Sequence, residues 1–376
     1  MTSDMHRSAR VRVVRVEAKV VRTPIAVPVR TSFGMMRDRP ALFLRVTDAD
    51  GAAGFGEVWC NFPSVGAEHR ARLAHEVIGP LLIESGDLPV DGLFFRLMTR
   101  LHILAIQSGE WGPVGQVAAG LDAACHDLAA RQAGVPLWRF LNSAGNSHIR
   151  AYASGIGPET PADTARAAAG RGHTAFKLKV GFGDETDRRS LRGIRSAIPS
   201  DDLLMADANQ GWSFDNALAG IRLCADHNVV WIEEPIAADR PIDEWVTLAK
   251  ATTTALAGGE NLNALPEFDT VIARKIFGYV QPDVAKWGGV SGCLHVARHA
   301  INAGLTYCPH FLGSAIGLMA SAHLLAAAGG TGLLEVDVNP NPHRDTMIGN
   351  ALPLTAGMIR LPDAPGIGIA PDWDRL

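Results

Sequence analysis

FKLKV, residues 176–180, sets two lysines into an apolar run. A strand repeats every two residues, so Lys177 and Lys179 leave one face while Phe176, Leu178 and Val180 leave the other. The two ammonium groups lie roughly 7 Å apart along the strand. On an exposed edge, lysines discourage pairing with other chains. In a central strand the same lysines point into a confined space and need a chemical reason to be there.

The surrounding sequence argues for a central strand. From about residue 148, short β-rich runs alternate with helical ones. The β runs are AYASG (151–155), FKLKV, LLMADAN (203–209), VVWIEEP (229–235), ALAGGEN (255–261), YVQPDVA (279–285), LTYCPH (305–310) and LLEVDVN (333–339). Helical runs such as DRRSLRGIRSAI (187–198) and GLMASAHLLAAAGG (317–330) separate them. Eight such units predict an α/β fold of the (β/α)8 TIM-barrel type. An open doubly wound sheet is the competing architecture. It is disfavoured because no glycine-rich phosphate-binding fingerprint follows the first strand.

In such a barrel the C-terminal strand ends form the active-site rim. Polar residues reach that rim in series: Lys179, Asp207, Glu233, Glu260, Asp283, His310 and Glu335. Successive separations are 28, 26, 27, 23, 27 and 25 residues, one β/α unit each. Scattered surface charges would not keep that register. Strand parity makes Glu233, which shares a face with Trp231, the inward member of the Glu233–Glu234 pair. Asp207, Glu233 and Glu260 cannot all be ionised side by side in a cavity without a cation. An all-oxygen set with open positions suits Mg²⁺. Lys177 and a divalent cation would lower the pKa of Lys179 and fit it for general-base work. Asp283 and His310 on adjacent strands form a candidate carboxylate–imidazole dyad. Glu335 is placed to hydrogen-bond a substrate oxygen, or to donate to an oxyanion if it is protonated.

The first part of the chain reads differently. VRVVRVEAKVVRTP (11–24) and LFLRVTDADGAAGFGEVW (42–59) read as strands, with DADG as hairpin turn chemistry. RTSFGMMRDRP (30–40) reads as a loop. Helical patterns follow at 67–83, 93–104 and 114–134, the last ending at Gly134. The expected organisation is an α+β domain over 1–145, the barrel over 146–352, and a segment over 353–376 returning to the first domain.

Composition narrows the partners. The net charge is −4 and charged residues make up 20% of the 376-residue chain, which argues against a general nucleic-acid or anionic-membrane surface. The five cysteines, at 60, 125, 224, 293 and 308, are scattered and without a CxxC, so neither a disulfide framework nor a zinc knuckle is expected. The N-terminal stretch lacks an uninterrupted apolar core and does not read as a signal peptide, and no apolar run reaches 18 residues. The expectation is a cytoplasmic protein without membrane or nucleic-acid partners.

The chain resembles the enolase superfamily, and within it the mandelate racemase-like subgroup of acid-sugar dehydratases and racemases. The motifs are KLK (177–179), DAN (207–209), WIEEP (231–235), GGEN (258–261), PDVAKWGG (282–289), CPH (308–310) and LLEVD (333–337). The resemblance implies that Asp207, Glu233 and Glu260 bind Mg²⁺, which holds the carboxylate of a small-molecule substrate and stabilises an enediolate. It implies that Lys179 is the base on one face, tuned by Lys177, and that His310, supported by Asp283, acts on the other. Glu335 would hydrogen-bond the carboxylate. Lys177, Asn209, Glu335, Phe33 and Trp59 are the candidate substrate-binding residues. Dehydration of an acid sugar or related hydroxy acid to a 2-keto-3-deoxy acid is the expected outcome. The alternatives are a racemase or epimerase of a 2-hydroxy or 2-amino acid, or more remotely a noncatalytic carboxylate-binding barrel. A homo-oligomer is expected on the same resemblance.

Lys286, in PDVAKWGG, falls three residues after Asp283 and so has the wrong parity for the inward rung; it reads as structural. The capping segments 30–40 and 58–69 carry Phe33, Met35, Met36, Trp59 and Phe62, with Arg37 as the cation placed to meet a distal carboxylate. That apolar character points away from a large aldaric acid and toward a smaller or partly apolar substrate.

Overall fold

The computed structural model describes residues 7–30 and 34–376. Strands β1 (Arg10–Arg30), β2 (Met35–Asp48), β3 (Ala53–Val58) and β4 (Asp87–Pro89) form an antiparallel sheet in the order β3-β2-β1-β4. The DADG turn closes as expected: Asp48 Oδ1 accepts the N–H groups of Asp50 at 3.0 Å and Ala52 at 2.8 Å. The sheet packs on a long helix, Trp111–Gln132, whose backbone comes so near that a methyl at Gly56 would land on the Gly120 carbonyl. The chain leaves that helix through Gly134, at φ +69°.

Arg30 and residues 35–40 depart from the loop expectation for 30–40. β1 and β2 pair there, with Val29 opposite Met36 and Arg30 opposite Met35. Two of its charges have partners outside the run. Asp38 pairs with Arg22 at 3.0 Å, and buried Arg39 pairs with Asp337 at 2.8 Å. Met36 is buried and Met35 is exposed. Phe33 lies outside the described residues.

The barrel strands are β5 (His148–Ile156), β6 (Ala175–Lys179), β7 (Leu203–Asp207), β8 (Val229–Glu233), β9 (Ala255–Gly258), β10 (Tyr279–Val280), β11 (Thr306–Tyr307) and β12 (Leu333–Asp337). Neighbours are parallel from β5 to β11, and β12 pairs with β5. At the β11–β12 seam, Leu333 N–H donates to Cys308 Sγ at 3.3 Å. A hairpin, β13 (Leu354–Thr355) and β14 (Met358–Arg360), adds antiparallel to β5. The final segment then returns to the first domain, where Leu137 N–H donates to Gly366 O at 2.7 Å and Arg45 lies over the Trp373 ring at 4.7 Å.

Tyr152, Ala175, Met205, Trp231, Ala257, Cys308 and Leu333 fill the barrel interior as an apolar floor. Two residues further along, the same inward face carries Ser154, Lys177, Asp207, Glu233, His310 and Glu335. One step of strand parity therefore separates packed core from charged rim. The five cysteines are buried free thiols. Among the described residues, no helix is long and apolar enough to cross a membrane.

Buried His323, on the barrel helix Ala315–Ala328, accepts the Trp138 N–H at Nδ1 (3.1 Å) and so ties the two domains. Burial pushes its pKa down to about 3. The folded state keeps it neutral, while the unfolded chain protonates it below about pH 6.5. Its contribution is present above that pH and is lost as pH falls toward 3. Urea unfolding should show stability falling by about 1.4 kcal/mol per pH unit from this group, and His323→Gln should remove that part of the slope.

Candidate active site

Lys177 is 1% exposed, yet it carries an ammonium. Nζ reaches Glu233 at 2.7 and 2.9 Å, Glu335 at 2.7 Å and Asp207 at 3.6 Å, with the Tyr152 ring 5.3 Å away. Burial works against the charge, but Glu233 and Glu335 outweigh it and hold the pKa well above the usual lysine value. Lys179, in ladder register with Asp207, pairs with that carboxylate at 2.6 Å; its side chain is 18% exposed.

The lowered pKa expected for Lys179 is not what the protein alone provides. Burial and Lys177 do pull it down, but the Asp207 contact overrides both and raises it. Glu335 is corrected in the same way. Burial pushes its carboxyl up, yet Lys177, His310 and the Ser154 hydroxyl (2.5 Å) bring it down to about 2. It is an ionised acceptor and not a protonated donor.

Asp207 continues the rim on β7. Its Oδ1 accepts the Asn209 N–H at 2.7 Å. The turn that allows this holds Asn209 at φ +47° and Gln210 at φ +64°, left-handed conformations that asparagine tolerates. Asn209 itself is buried beside Asp207. Glu233 is the inward glutamate, with the Gln281 amide (2.8 Å) and Trp231 indole N–H (3.2 Å) donating to it. Glu234 turns the other way at φ +40°, and both its oxygens accept from the Asn261 amide at 2.9 Å. Glu260 lies beyond β9, its Oε1 taking a bond from the same amide at 2.9 Å and its Oε2 against His310 Nε2.

His310 Nδ1 sits 2.7 Å from Asp283 Oδ2. That contact fixes the ring and leaves Nε2 facing Glu260 and, at 3.8 Å, Glu335. Burial disfavours the charged imidazole, but Glu260, Glu335 and Asp283 carry its pKa well above the usual value. Lys179 on β6 and His310 beyond β11 therefore stand at the two ends of an arc whose strands bear Asp207, Glu233 and Glu260.

Lys286 is not remote from the site. Its Nζ donates to Asn261 Oδ1 at 2.7 Å, lies 3.7 Å from Glu260 and sits 4.9 Å over the Trp59 ring. Parity fails there because the chain has left the strand and turned: the Lys286 N–H folds back to Asp283 O at 3.0 Å. Trp59 thus reaches the mouth against a lysine, and its backbone N–H bonds to Ala285 O at 3.1 Å. The sequence reading also passed over Ser154 and Gln281. Both lie on the inward parity, the signal that would have found them, but uncharged residues did not stand out.

Six carboxylates, Asp207, Glu233, Glu234, Glu260, Asp283 and Glu335, share this region with three lysines and one imidazole. Burial pushes Glu233 up to about 7 against the pull of Lys177, with Asp207, Glu335 and Glu260 adding to the rise. Among the described residues no three acidic, histidine or cysteine side chains meet in metal-binding geometry, because Lys177, Lys179 and His310 each hold a carboxylate. The oxygen-only donors and the excess negative charge fit a hard divalent cation.

The chain matches the mandelate racemase/muconate lactonizing enzyme N-terminal domain over residues 13–142 and the enolase C-terminal domain-like family over 160–375. A solved mandelate racemase/muconate lactonizing enzyme from Bordetella bronchiseptica RB50 is 48% identical, with a TM-score of 0.91 over 98% of this chain and 99% of that one. D-galactarolactone cycloisomerase of Agrobacterium fabrum is 27% identical over 92% of this chain and 93% of its own length. A racemase from Streptomyces coelicolor A3(2), solved with bound magnesium, shares the fold at 24% identity, with a TM-score of 0.84 over 97% and 98% of the two chains. Other relatives are dehydratases, racemases and epimerases.

Lys177→Met would leave Glu233 and Glu335 buried without their ammonium. Without added metal it should cost about 3–5 kcal/mol by denaturant unfolding. Lys179→Met, which frees one carboxylate at a wetter position, should cost distinctly less.

Proposed function

The chain belongs to the mandelate racemase/muconate lactonizing enzyme family of the enolase superfamily, and we propose that it dehydrates an acid sugar or related hydroxy acid to a 2-keto-3-deoxy acid. One observation carries the reading: a lysine and an aspartate-held imidazole bracket an arc of buried carboxylates. Lys179 takes the proton alpha to the substrate carboxylate as the neutral amine, a form it would reach once Asp207 turns to a bound cation and no longer holds its charge. Asp283 keeps the Nδ1 proton of His310 in place, so Nε2 presents its own proton to the β-hydroxyl. The C–H pair becomes the new C=C bond, the C–O bond breaks with its electrons on oxygen, and water leaves. The enol then gains a proton at carbon and loses its hydroxyl proton to give the ketone.

Lys177 supplies positive charge beside the substrate carboxylate as the enediolate forms, and its burial makes that charge effective. Glu335 and Gln281 hold Lys177 and Glu233 in place. Asp207, Glu233 and Glu260 would hold Mg²⁺, which supplies Lewis-acid stabilisation of the added negative charge when bound. Two acid-sugar relatives, an arabinonate dehydratase and an L-talarate/galactarate dehydratase, support dehydration. The second reading is racemisation or epimerisation. It draws on the same two groups standing at opposite ends of the arc, and on relatives that are racemases or epimerases.

The test is NMR in D₂O with Mg²⁺ over a panel of acid sugars and small 2-hydroxy and 2-amino acids. A 2-keto-3-deoxy product is expected; stereoisomers alone would instead establish the racemase. Lys179→Ala should abolish loss of the α-proton, and His310→Asn should lower product formation by roughly 10²- to 10⁴-fold. Calorimetry should detect Mg²⁺ binding to the wild type and none to Glu233→Gln. Equal binding by both proteins would remove Glu233 from the ligand set.

A further inference from the structure

We propose that Glu57, on strand β3 of the capping sheet, is a positioning residue that holds His310 through the N-terminus of the helix Ala315–Ala328. The assignment takes the role of His310 from the function proposed above.

Glu57 is buried, and its partners lie across the domain boundary. Oε1 accepts the Ser314 N–H at 2.5 Å and Oε2 the Gly317 N–H at 2.9 Å. The Ile316 amide also acts on it. A helix leaves its first N–H groups without internal partners, and a carboxylate there also meets the positive end of the helix dipole. This helix has no side-chain cap of its own: Ser314 stands at the N-cap, and its Oγ is buried without a partner. Glu57, more than 250 residues earlier in sequence, takes that place. Burial pushes its carboxyl up to about 7, while the amides pull it down.

From this cap the contacts run to His310. Phe311, the next residue, donates its N–H to Glu335 Oε2 at 3.0 Å. Its ring lies so close to Gly313 and Gly317 that a methyl on either would strike it. Two loop carbonyls are held by amide side chains, Leu312 O by Asn61 at 2.7 Å and Gly313 O by Asn341 at 2.9 Å. Asn61 follows Glu57 by four residues. Between them, the Trp59 N–H bonds to Ala285 O, two residues past Asp283. One short segment, 57–61, therefore grips both loops that carry the Asp283–His310 pair. Among the described residues, no such contact reaches Lys177 or Lys179.

Glu57→Gln keeps the shape but turns one acceptor into a donor facing an amide N–H. Gly317→Ala leaves Glu57 intact and favours the helix, but it displaces the Phe311 ring. ¹⁵N-histidine NMR of the Mg²⁺-supplemented protein at fixed pH reads the His310 Nδ1–H held by Asp283, with His310→Asn identifying the signal. Both variants should shift or broaden it. His323→Gln, a change at another position in the same helix, should leave it alone. In the α-proton assay, Glu57→Gln should lower the kcat of product formation on the order of 10²-fold, with little change in KM and with Lys179-dependent exchange retained.

An unchanged His310 signal in Glu57→Gln would overturn the proposal. So would equal loss of the signal in His323→Gln, which would reduce Glu57 to general domain packing. If no acid is processed by the wild type, the functional reading fails, yet the NMR comparison still decides whether Glu57 positions the ring.

Discussion

A buried ammonium organises the mouth of this barrel. Lys177 would be prohibitively costly in an apolar interior, and only the convergence of Glu233, Glu335 and Asp207 makes it tolerable. The converse also holds, because those carboxylates could not share the space without it. The chain solves both problems with strand parity. Trp231, Tyr152 and Met205 seal the floor, and the next inward residue on each of those strands is polar. The charged rim therefore rests on a dry base, which raises the effect of every charge placed there.

The two ends of the polar arc owe their order to different sources. On the Lys179 side, the β6–β7–β8 ladder places Lys179, Asp207 and Glu233 in one row through backbone hydrogen bonds alone. On the His310 side the strands are short. β10 and β11 are two residues each, and Asp283 and His310 stand on the segments beyond them. Order there comes from side chains such as Asp283 and Glu335 and, in part, from outside the barrel. Asp122 of the capping helix accepts the Ser291 N–H and hydroxyl at the start of the helix Gly289–Asn302, and Glu57 does the same for the helix after His310. Two consecutive barrel helices are thus capped by carboxylates from the first domain.

Much of this was legible in the sequence because it repeats. The eight β/α units and the regular spacing of polar residues are properties of period, and period survives in a single chain. The choice of Glu233 over Glu234 followed from parity and agrees with the geometry. What escaped depended on distant partners. RTSFGMMRDRP (30–40) read as a loop, with its glycine and closing proline, while the strand over 35–40 depends on pairing with β1 and on Arg22 and Asp337, partners a local pattern does not show. Lys286 broke the parity rule because the strand had already ended. The pKa directions of Lys179 and Glu335 followed from which opposite charge sits nearest, and that is a matter of distances. Ser154 and Gln281 were missed because the rim series was drawn mainly from charged side chains.

The same distinction bears on how such a site can change. Residues ordered by the ladder are tied to the barrel, since moving Asp207 or Lys179 means shifting a strand register, which turns every side chain to the other face. Residues ordered by the cap are tied to a second domain that also supplies Trp59 at the mouth, packed over Lys286. A change in the 57–61 segment therefore acts at once on the Trp59 wall of the mouth and on the loops that carry Asp283 and His310. The mouth wall and the placement of the imidazole are coupled through one stretch of five residues, whereas Lys177 meets the His310 loop through Glu335, from inside the barrel.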